Sequence, residues 1–582
     1  MSPSRTTPVS RPDKRRGRAS KGRADKARAV AEQRGSRRVR YLSIGTLVVL
    51  AVFGARAGWI ATVQAGELTG MARAQHEVIH EVQAPRGAIV SSDGRELAVD
   101  KHVTAVTATP YLVKDKRGTA EKIATAVELS PDEVERRLQG EGGYAMLNTG
   151  VDQQRAAYLR TLHLPGITLA DAQKRLYPLG TVASQMIGMT DDYGAGLTGL
   201  EKAMDGQLKG TSGKRHEARD PNGATLRILD DTEPIAGKTV TLSIDSAIQQ
   251  KVETVLEGTR LANNAKAASA IVMRPSDGAI LAMATVPGYD PNKPETITPD
   301  TERMRPITDT YEPGSTFKLV SVAGAIQDGV VTRNTMFDLP PTLTLYDRTL
   351  HESHDRGSVA WTTQEILQNS SNIGTVKIAQ KMGPSKVQDW IEKFGFGAKT
   401  GIDYPGEVSG IVLPRDQWSG TSILNIPIGQ GVAVTIAQIA EAYGAIANGG
   451  RMVPPHLIQR IGNTVPTHPR GQQILSPKAA EQVNIMLQKV VSDDGTGKEA
   501  KIPGYTVGGK TGTANKIDPN TGKYIESYVA SFVGYAPATH PGIVVAVMVD
   551  EPTNGQYYGG QVAAPAFEQI GEFALQHLHI AP

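Results

Sequence analysis

Between Tyr41 and Val63 the chain reads YLSIGTLVVLAVFGARAGWIATV, 23 residues carrying a single charge, Arg56. A helix needs about 20 apolar residues to cross a bilayer core, so this run is expected to span one. Everything beyond it must then fold on one side of a membrane. Arg56 lies near enough to the far end to snorkel to the interface. No clean small-residue cleavage site follows, so the expectation is an uncleaved single-pass anchor rather than a removed signal peptide. Residues 1–40 hold fourteen Lys/Arg against Asp13, Asp25 and Glu32, a net +11 in a chain of +4, which leaves −7 for the remainder. So few large apolar side chains cannot build a core, and the segment is expected to be a disordered basic tail. Such an arm could bind nucleic acid. Beside an apolar span it reads instead as the positive-inside flank, with a cytoplasmic N-terminus and the bulk of the chain extracytoplasmic. No nucleic-acid partner is expected.

The 582 residues exceed one ordinary domain, and 39% hydrophobic with 21% charged residues suits globular folding. The chain has no Cys, which removes disulfides, thiol catalysis and Cys-ligated zinc together. Arg86–Asp100 (RGAIVSSDGRELAVD) places short alternating runs around Asp93-Gly94, a hairpin signal. Thr119–Leu129 and Pro131–Leu138 look helical, and residues 176–240 are rich in Gly, Asp and Thr without strong periodicity. Together they predict an irregular α+β module. From about Lys238 the pattern changes. TVTLSID predicts a strand, and SAIQQKVETVLEG an amphipathic helix with Ile248, Val252 and Leu256 on one face. Ser269–Arg274 and Ala279–Thr285 flank a turn at Pro275–Gly278; Tyr505–Gly509, Ser527–Gly534 and Gly542–Val549 are further strand-like runs, and Val562–Leu578 closes with a helix. Helical patterns dominate between about 300 and 500. Strands at both ends with helices between imply an antiparallel sheet flanked by helices, with a helical subdomain.

Three short motifs stand in order on this framework. Ser315-Thr316-Phe317-Lys318 is the single Ser-x-x-Lys of the chain and opens a helical pattern after Glu312-Pro313-Gly314. Positions i and i+3 of a first turn share a face, so Lys318, if desolvated and neutral, can take the Ser315 proton. Free N–H groups at the helix start suit an oxyanion. Ser370-Ser371-Asn372 is the single Ser-x-Asn, between helical runs ending at Leu367 and starting at Ile373; a hydroxyl and an amide on one tight loop can relay a proton and hold a substrate amide. Lys-Thr-Gly occurs twice, at Lys399–Gly401 and Lys510–Gly512. Only a strand-borne copy can lay its backbone along an extended peptide while Lys and Thr meet a carboxylate. Lys510, on a strand-like run and followed by Thr513, is the expected one. Taken singly, each motif could be an ordinary cap or turn; the ordered triple in fitting contexts is far more specific.

The triple resembles that of the serine penicillin-recognising enzymes, specifically class B penicillin-binding proteins. The resemblance extends to YEPGSTFK, QNSSN, Gly429–Gly431 (GQG), GGKTGTA and YGGQVAAPAF, and, upstream, to RGAIVSSDGRELA, Arg175–Gly180 (RLYPLG), Ala183–Gln185 and Gly199–Glu201. It implies four segments: a tail (1–40), an anchor (41–63), a non-catalytic pedestal of dimerisation type (64–237) and a penicillin-binding transpeptidase domain (238–582) with a five-stranded antiparallel sheet. It further implies that Ser315 attacks the penultimate D-Ala carbonyl of a stem peptide with Lys318 as base. Ser370 would relay the proton, Asn372 would orient substrate, and Lys510, Thr511, Gly512 and Thr513 would bind the substrate and its carboxylate. The N–H groups of Ser315 and Thr513 would form the oxyanion hole. Expected partners are peptidoglycan stem peptides, the lipid-linked precursor, β-lactams, the membrane, a polytopic glycosyltransferase and other division proteins. No cofactor or metal is expected. The long basic tail and single anchor fit the septal-division type; the elongation type and a D,D-carboxypeptidase stay open.

Two lures and a rival need weighing. Gly504–Thr511 (GYTVGGKT) matches the P-loop pattern, but a P-loop must turn straight into a helix, and ANKIDPNTGK has no helical period. His351-Glu352-Ser353-His354 is one residue short of a zincin motif and reads as a turn with surface histidines. A non-catalytic division scaffold would not need the intact triple.

Overall fold

Alternation of small and branched apolar residues sets the centre of the catalytic domain. In the computed structural model, which describes residues 21–140, 142–219, 225–345, 348–518 and 520–582, five strands pair antiparallel: β1 (Ala267–Met273), β2 (Ile280–Val286), β3 (Gly508–Ile517), β4 (Tyr524–Ala536) and β5 (Ile543–Asp550), in the order β2-β1-β5-β4-β3. The helices that matter most are α1 (Ser246–Ala262), α2 (Lys318–Gln327), α3 (Asn372–Met382), α4 (Ile436–Ala447) and α5 (Ala564–His577). Ala268, Ala270 and Val272 of β1, with Val545, Val547 and Val549 of β5, pack on one side against Val252 and Leu256 of α1 and Phe567 and Ile570 of α5. Their neighbours Ile271, Met273, Val544, Ala546 and Met548 face the other side, with Val320 of α2 and Tyr443 of α4. A strand period of two puts successive residues on opposite faces, so a sheet covered twice must be apolar at nearly every position. The five-stranded sheet with flanking helices and a helical insertion is the expected α+β class.

β3 is an edge strand, so one side of its backbone has no sheet partner. It is also longer than expected: a strand is expected at Tyr505–Gly509, whereas β3 begins at Gly508 and carries Lys510–Thr513 within its span. Gly508, Gly509 and Gly512 carry little strand propensity, and polar Asn515 and Lys516 mask the continuation.

The described residues fall into two bodies. One contains the helix Lys21–Thr62, a second helix Ala65–His76, and a three-stranded sheet of Glu77–Val82, Gly213–Arg219 and Thr225–Thr232. Within the first helix, Val39–Thr62 is long and apolar enough to cross a membrane, with mean hydropathy 1.8 and no buried residue. The tail expected to be disordered through residue 40 departs from that expectation, because the helix already begins at Lys21. Ala, Arg, Lys and Glu are good helix formers, and a helix nucleated downstream extends at low cost. Residues 1–20 of that tail lie outside the described residues.

The second body holds Val82–Gly213 and Glu233–Pro582. The cut expected between 237 and 238 falls two residues before the strand Val240–Leu242, and that strand pairs parallel with Ile89–Val90 of the pedestal and antiparallel with Ile458–Ile461. Pedestal and catalytic domain thus share a sheet. Asp93, on the expected turn, reinforces the join by accepting from the Ser246 backbone N–H (3.0 Å) and hydroxyl (2.6 Å) at the start of α1. Three resemblance motifs meet in a buried ion network: Glu201 is fully buried between Arg86 Nε (2.6 Å) and Arg175 Nε (2.7 Å), and Asp100 closes it at 3.0 Å from Arg175.

Candidate active site

Ser315 sits on a 3-10 turn, Gly314–Phe317, that runs directly into α2. The expectation was an α-helical first turn. In a 3-10 turn residues i and i+3 eclipse, and the Lys318 N–H donates to the Ser315 carbonyl, which stacks the two side chains' origins more closely. The Ser315 hydroxyl holds no hydrogen bond among the described residues. The turn is fixed from three sides. Gly314, at φ +52°, would place a Cβ 2.7 Å from the Thr513 carbonyl; its N–H donates to Gly429 O at 3.2 Å; and the Tyr443 hydroxyl of α4 donates to Thr316 O at 2.9 Å. Only Gly tolerates both that left-handed backbone and that approach. The edge of β3 is therefore laid against the turn that carries Ser315.

Lys318 is fully buried, and its Nζ donates to Ser370 O (2.5 Å), Asn372 Oδ1 (2.7 Å) and Ser370 Oγ (3.2 Å). Lys510, also fully buried, reaches the same Ser370 Oγ at 2.9 Å and its own neighbour Thr511 at O (3.2 Å) and Oγ1 (3.3 Å). All three motifs thus meet at one hydroxyl. Ser370 adopts φ +56°, a backbone state that costs a non-glycine residue free energy and here turns its side chain between the two lysines. Burial, only partly offset by the Glu352 carboxylate, brings Lys318 down to about 7. Burial and the Lys318 charge push Lys510 well below the ordinary lysine range. Two ammonium groups on one hydroxyl cannot both be favoured in a dry site, so a neutral amine is accessible near neutral pH.

The rest of the Lys-Thr-Gly strand is fixed by its neighbours. Thr511 Oγ1 lies 3.1 Å from Thr496 Oγ1, and Thr513 Oγ1 accepts the Gly559 N–H at 3.0 Å. Gly512 leaves room for the packed neighbours Ser531 and Pro313, since a Cβ would fall 2.3 Å from Ser531 Oγ. The other copy goes elsewhere. Lys399 is exposed, and Thr400 N, Thr400 Oγ1 and Gly401 N all donate to Glu407 (2.7, 2.6 and 3.1 Å). The P-loop lure dissolves too, because Gly508–Thr511 enters a strand rather than a helix.

Sequence reasoning missed the residues that brace the loop. Glu352, read as part of a surface turn, is buried: it accepts the Ser371 hydroxyl (2.6 Å) and the Asn372 N–H (2.7 Å) and pairs with Arg356. The adjoining His351 carbonyl accepts Asn372 Nδ2 at 3.0 Å, while His351 and His354 themselves are exposed, as expected. Glu312, just ahead of the turn that carries Ser315, accepts the Gly431 N–H (2.7 Å) and the Tyr524 hydroxyl (3.0 Å), joining the GQG loop to the β3–β4 hairpin. Glu352 lay inside a motif already singled out, but a lone acid beside two histidines signals nothing about burial.

The geometry agrees with likeness to known proteins. Residues 268–572 match the penicillin binding protein transpeptidase domain, and residues 81–242 the penicillin-binding protein dimerisation domain. The peptidoglycan D,D-transpeptidase FtsI of Escherichia coli is 33% identical over 544 residues, covering 92% of this chain and 91% of that protein. Penicillin-binding protein PbpB of Mycobacterium tuberculosis is 31% identical over 570 residues, covering 92% and 84%. The crystal structure of penicillin binding protein 3 from Mycobacterium tuberculosis complexed with aztreonam superposes with a TM-score of 0.69 at 29% identity, over 86% of this chain and 98% of that one. With a catalytic cluster, a preceding pedestal and relatives alike over nearly its whole length, the chain belongs to the class B penicillin-binding proteins.

Proposed function

We propose that this protein is a peptidoglycan D,D-transpeptidase that cross-links stem peptides through an acyl-enzyme on Ser315, at the division septum. The observation that carries the reading is the convergence of Lys318 and Lys510 on the Ser370 hydroxyl, with Asn372 on Lys318, beside a Ser315 hydroxyl that has no partner among the described residues.

The chemistry follows from that arrangement. Neutral Lys318 takes the Ser315 proton as Oγ attacks the carbonyl of the penultimate D-Ala. The N–H groups of Ser315 and Thr513 receive the oxyanion; one such donor is worth about 100- to 1,000-fold in rate. The proton passes from Lys318 through the Ser370 hydroxyl to the departing amine, and terminal D-Ala leaves with an acyl-Ser315 ester behind. The amine of a second stem peptide then attacks the ester, its proton returns along the same relay, and Ser315 is restored. Asn372 orients the peptide amide. Lys510, Thr511 and Thr513 hold the terminal carboxylate, and the peptide backbone lies along the edge strand β3. A β-lactam enters the same cycle and stalls at the ester.

Orientation and cellular site follow from the tail and anchor. A basic segment ahead of one apolar span supports a cytoplasmic N-terminus with the catalytic domain outside, and fits a division-type protein that meets nascent strands from lipid-linked precursor beside a polytopic glycosyltransferase and other division proteins. Incubating the purified protein with a penicillin should add one adduct, located by mass spectrometry on the peptide containing Ser315, and Ser315→Ala should abolish it. A donor and an amine acceptor peptide should yield cross-linked product; release of D-Ala alone would make it a carboxypeptidase. An adduct that survives Ser315→Ala would sink the nucleophile assignment, and midcell absence of a fluorescent fusion would sink the septal one.

A further inference from the structure

The segment His351–Arg356 was left without a role by the three motifs, yet it carries the buried carboxylate nearest the lysine pair. Glu352 comes from the far end of the hairpin strand Arg348–His351 and reaches the N-terminus of α3, where Ser371 is the cap and Asn372 the first helical residue. Its two oxygens take separate donors there: the Ser371 hydroxyl on Oε1 and the Asn372 N–H on Oε2. Those donors flank the two groups that matter, because Ser370 precedes the first and the Asn372 side chain belongs to the second. The carboxylate suits a helix N-terminus, where unsatisfied N–H groups favour negative charge. Arg356 holds it from behind, lying 4.9 Å over the Trp361 ring and donating to the carbonyls of Leu339 (3.2 Å) and Gly357 (3.0 Å). Glu352 thus has a fixed place with 7% of its side chain exposed.

We propose that Glu352 is a positioning residue for acylation, clamping Ser370 and Asn372 against Lys318 and supplying the negative charge that balances the paired lysines. This rests on Ser315 and Lys318 being nucleophile and base. The charged groups that face Lys318 are Lys510 from β3 and Glu352 from the hairpin, with Arg356 behind the latter; α2 carries no other charge along Lys318–Gln327. The carboxylate favours the charged form of Lys318, against burial and against Lys510. Taking it away makes Lys318 lose its proton at lower pH and also frees the loop that aims Ser370.

The two effects separate experimentally. In the full-length protein, the second-order rate constant of penicillin acylation is measured from pH 5 to 9 for wild type, Glu352→Gln and Glu352→Asp, with thermal melting to verify folding. Glu352→Gln should acylate about tenfold more slowly or worse, the scale of a lost charge-assisted contact, and its acid limb should move to lower pH. Glu352→Asp, which keeps the charge but shortens the reach, should be slowed with its acid limb near the wild-type position. Wild-type rate and an unmoved limb in Glu352→Gln would overturn the inference. So would equal slowing of both variants with unmoved limbs, the signature of a brace with no electrostatic part. If Glu352→Gln does not fold, Arg356→Met reads the same charge from behind: relieving Glu352 of its partner should move the limb to higher pH, and an unmoved limb overturns the inference. Ser315→Ala, run alongside, keeps the outcomes apart: labelling that persists there defeats the nucleophile assignment itself, whereas a silent Ser315→Ala with an unaffected Glu352→Gln defeats this inference alone.

Discussion

Lys399 and Lys510 share a tripeptide and nothing else. Lys510 is fully buried 2.9 Å from Ser370 Oγ, while Lys399 is exposed next to a Thr-Gly pair that Glu407 has already taken. Losing a charge-assisted contact to a substrate carboxylate costs about 1.5–3 kcal/mol, roughly a tenfold to hundredfold fall in rate. Loss of an exposed charge costs near zero. Lys510→Ala should therefore slow penicillin acylation at least tenfold by that estimate, with Lys399→Ala close to wild type; equal defects would mean that the wrong copy has been assigned. A second residue-scale expectation concerns pH. An ordinary lysine stays charged to 10.5, but Lys318 is lowered to about 7 by burial. With Lys318 as the proposed base, its neutral amine would be the reactive form, and acylation should fall as pH drops through about 7 and level off above it, as rapid-mixing kinetics would show. A profile flat from pH 5 upward would remove Lys318 as base. The three motifs were legible in the sequence as short patterns of fixed spacing, and the fold brings Lys318, Ser370 and Lys510 together. Glu352 and Glu312 were not, because what marks them is burial and a partner far along the chain.

At the scale of elements, the site is a contact between an edge strand and a turn. Alternating apolar runs made β1, β2, β4 and β5 readable to within a few residues, since both faces of the sheet are buried. β3 was misread at both ends, because Gly508, Gly509 and Gly512, where a Cβ would strike Tyr535, Phe532 and Ser531, stand where a core strand carries Val or Ile. The short hairpins at Thr342–Leu345 with Arg348–His351, and at Met336–Leu339 with Val359–Thr362, were invisible in a region read as helical; strands of four residues leave too little period to detect. The contact makes a prediction. Gly314→Ala would force a Cβ to within 2.7 Å of Thr513 O from a φ of +52°, so the turn must retreat from β3. The variant should fold, lose about 1–3 kcal/mol of stability, and acylate at least tenfold more slowly, because separating the two N–H donors costs oxyanion stabilisation. A thermal melt paired with penicillin labelling checks both halves. Unimpaired labelling would mean that the turn and strand need not touch.

Over the whole molecule, the distribution of charge makes a prediction about the side of the membrane on which the chain folds. The +11 of residues 1–40 precedes a single span, Val39–Thr62, and the rest of the chain carries −7. Positive charge is retained on the cytoplasmic side when it lies within short loops beside a span, and a second span that would return the chain is not found among the described residues. Residues beyond about 64 should then lie outside, where stem peptides are. Protease added to intact spheroplasts should digest the catalytic domain and leave a fragment holding the tail and anchor, detectable through an N-terminal tag. Reversing the charge bias across the span offers the stricter test, since orientation should follow the charge rather than the identity of the residues. Replacing the Lys and Arg of residues 21–40 with Gln, while adding a basic cluster after Val63, should leave a substantial fraction of molecules with the catalytic domain protected from protease and unlabelled by added penicillin. Unchanged digestion and labelling of that variant would show that something other than the basic flank sets the orientation.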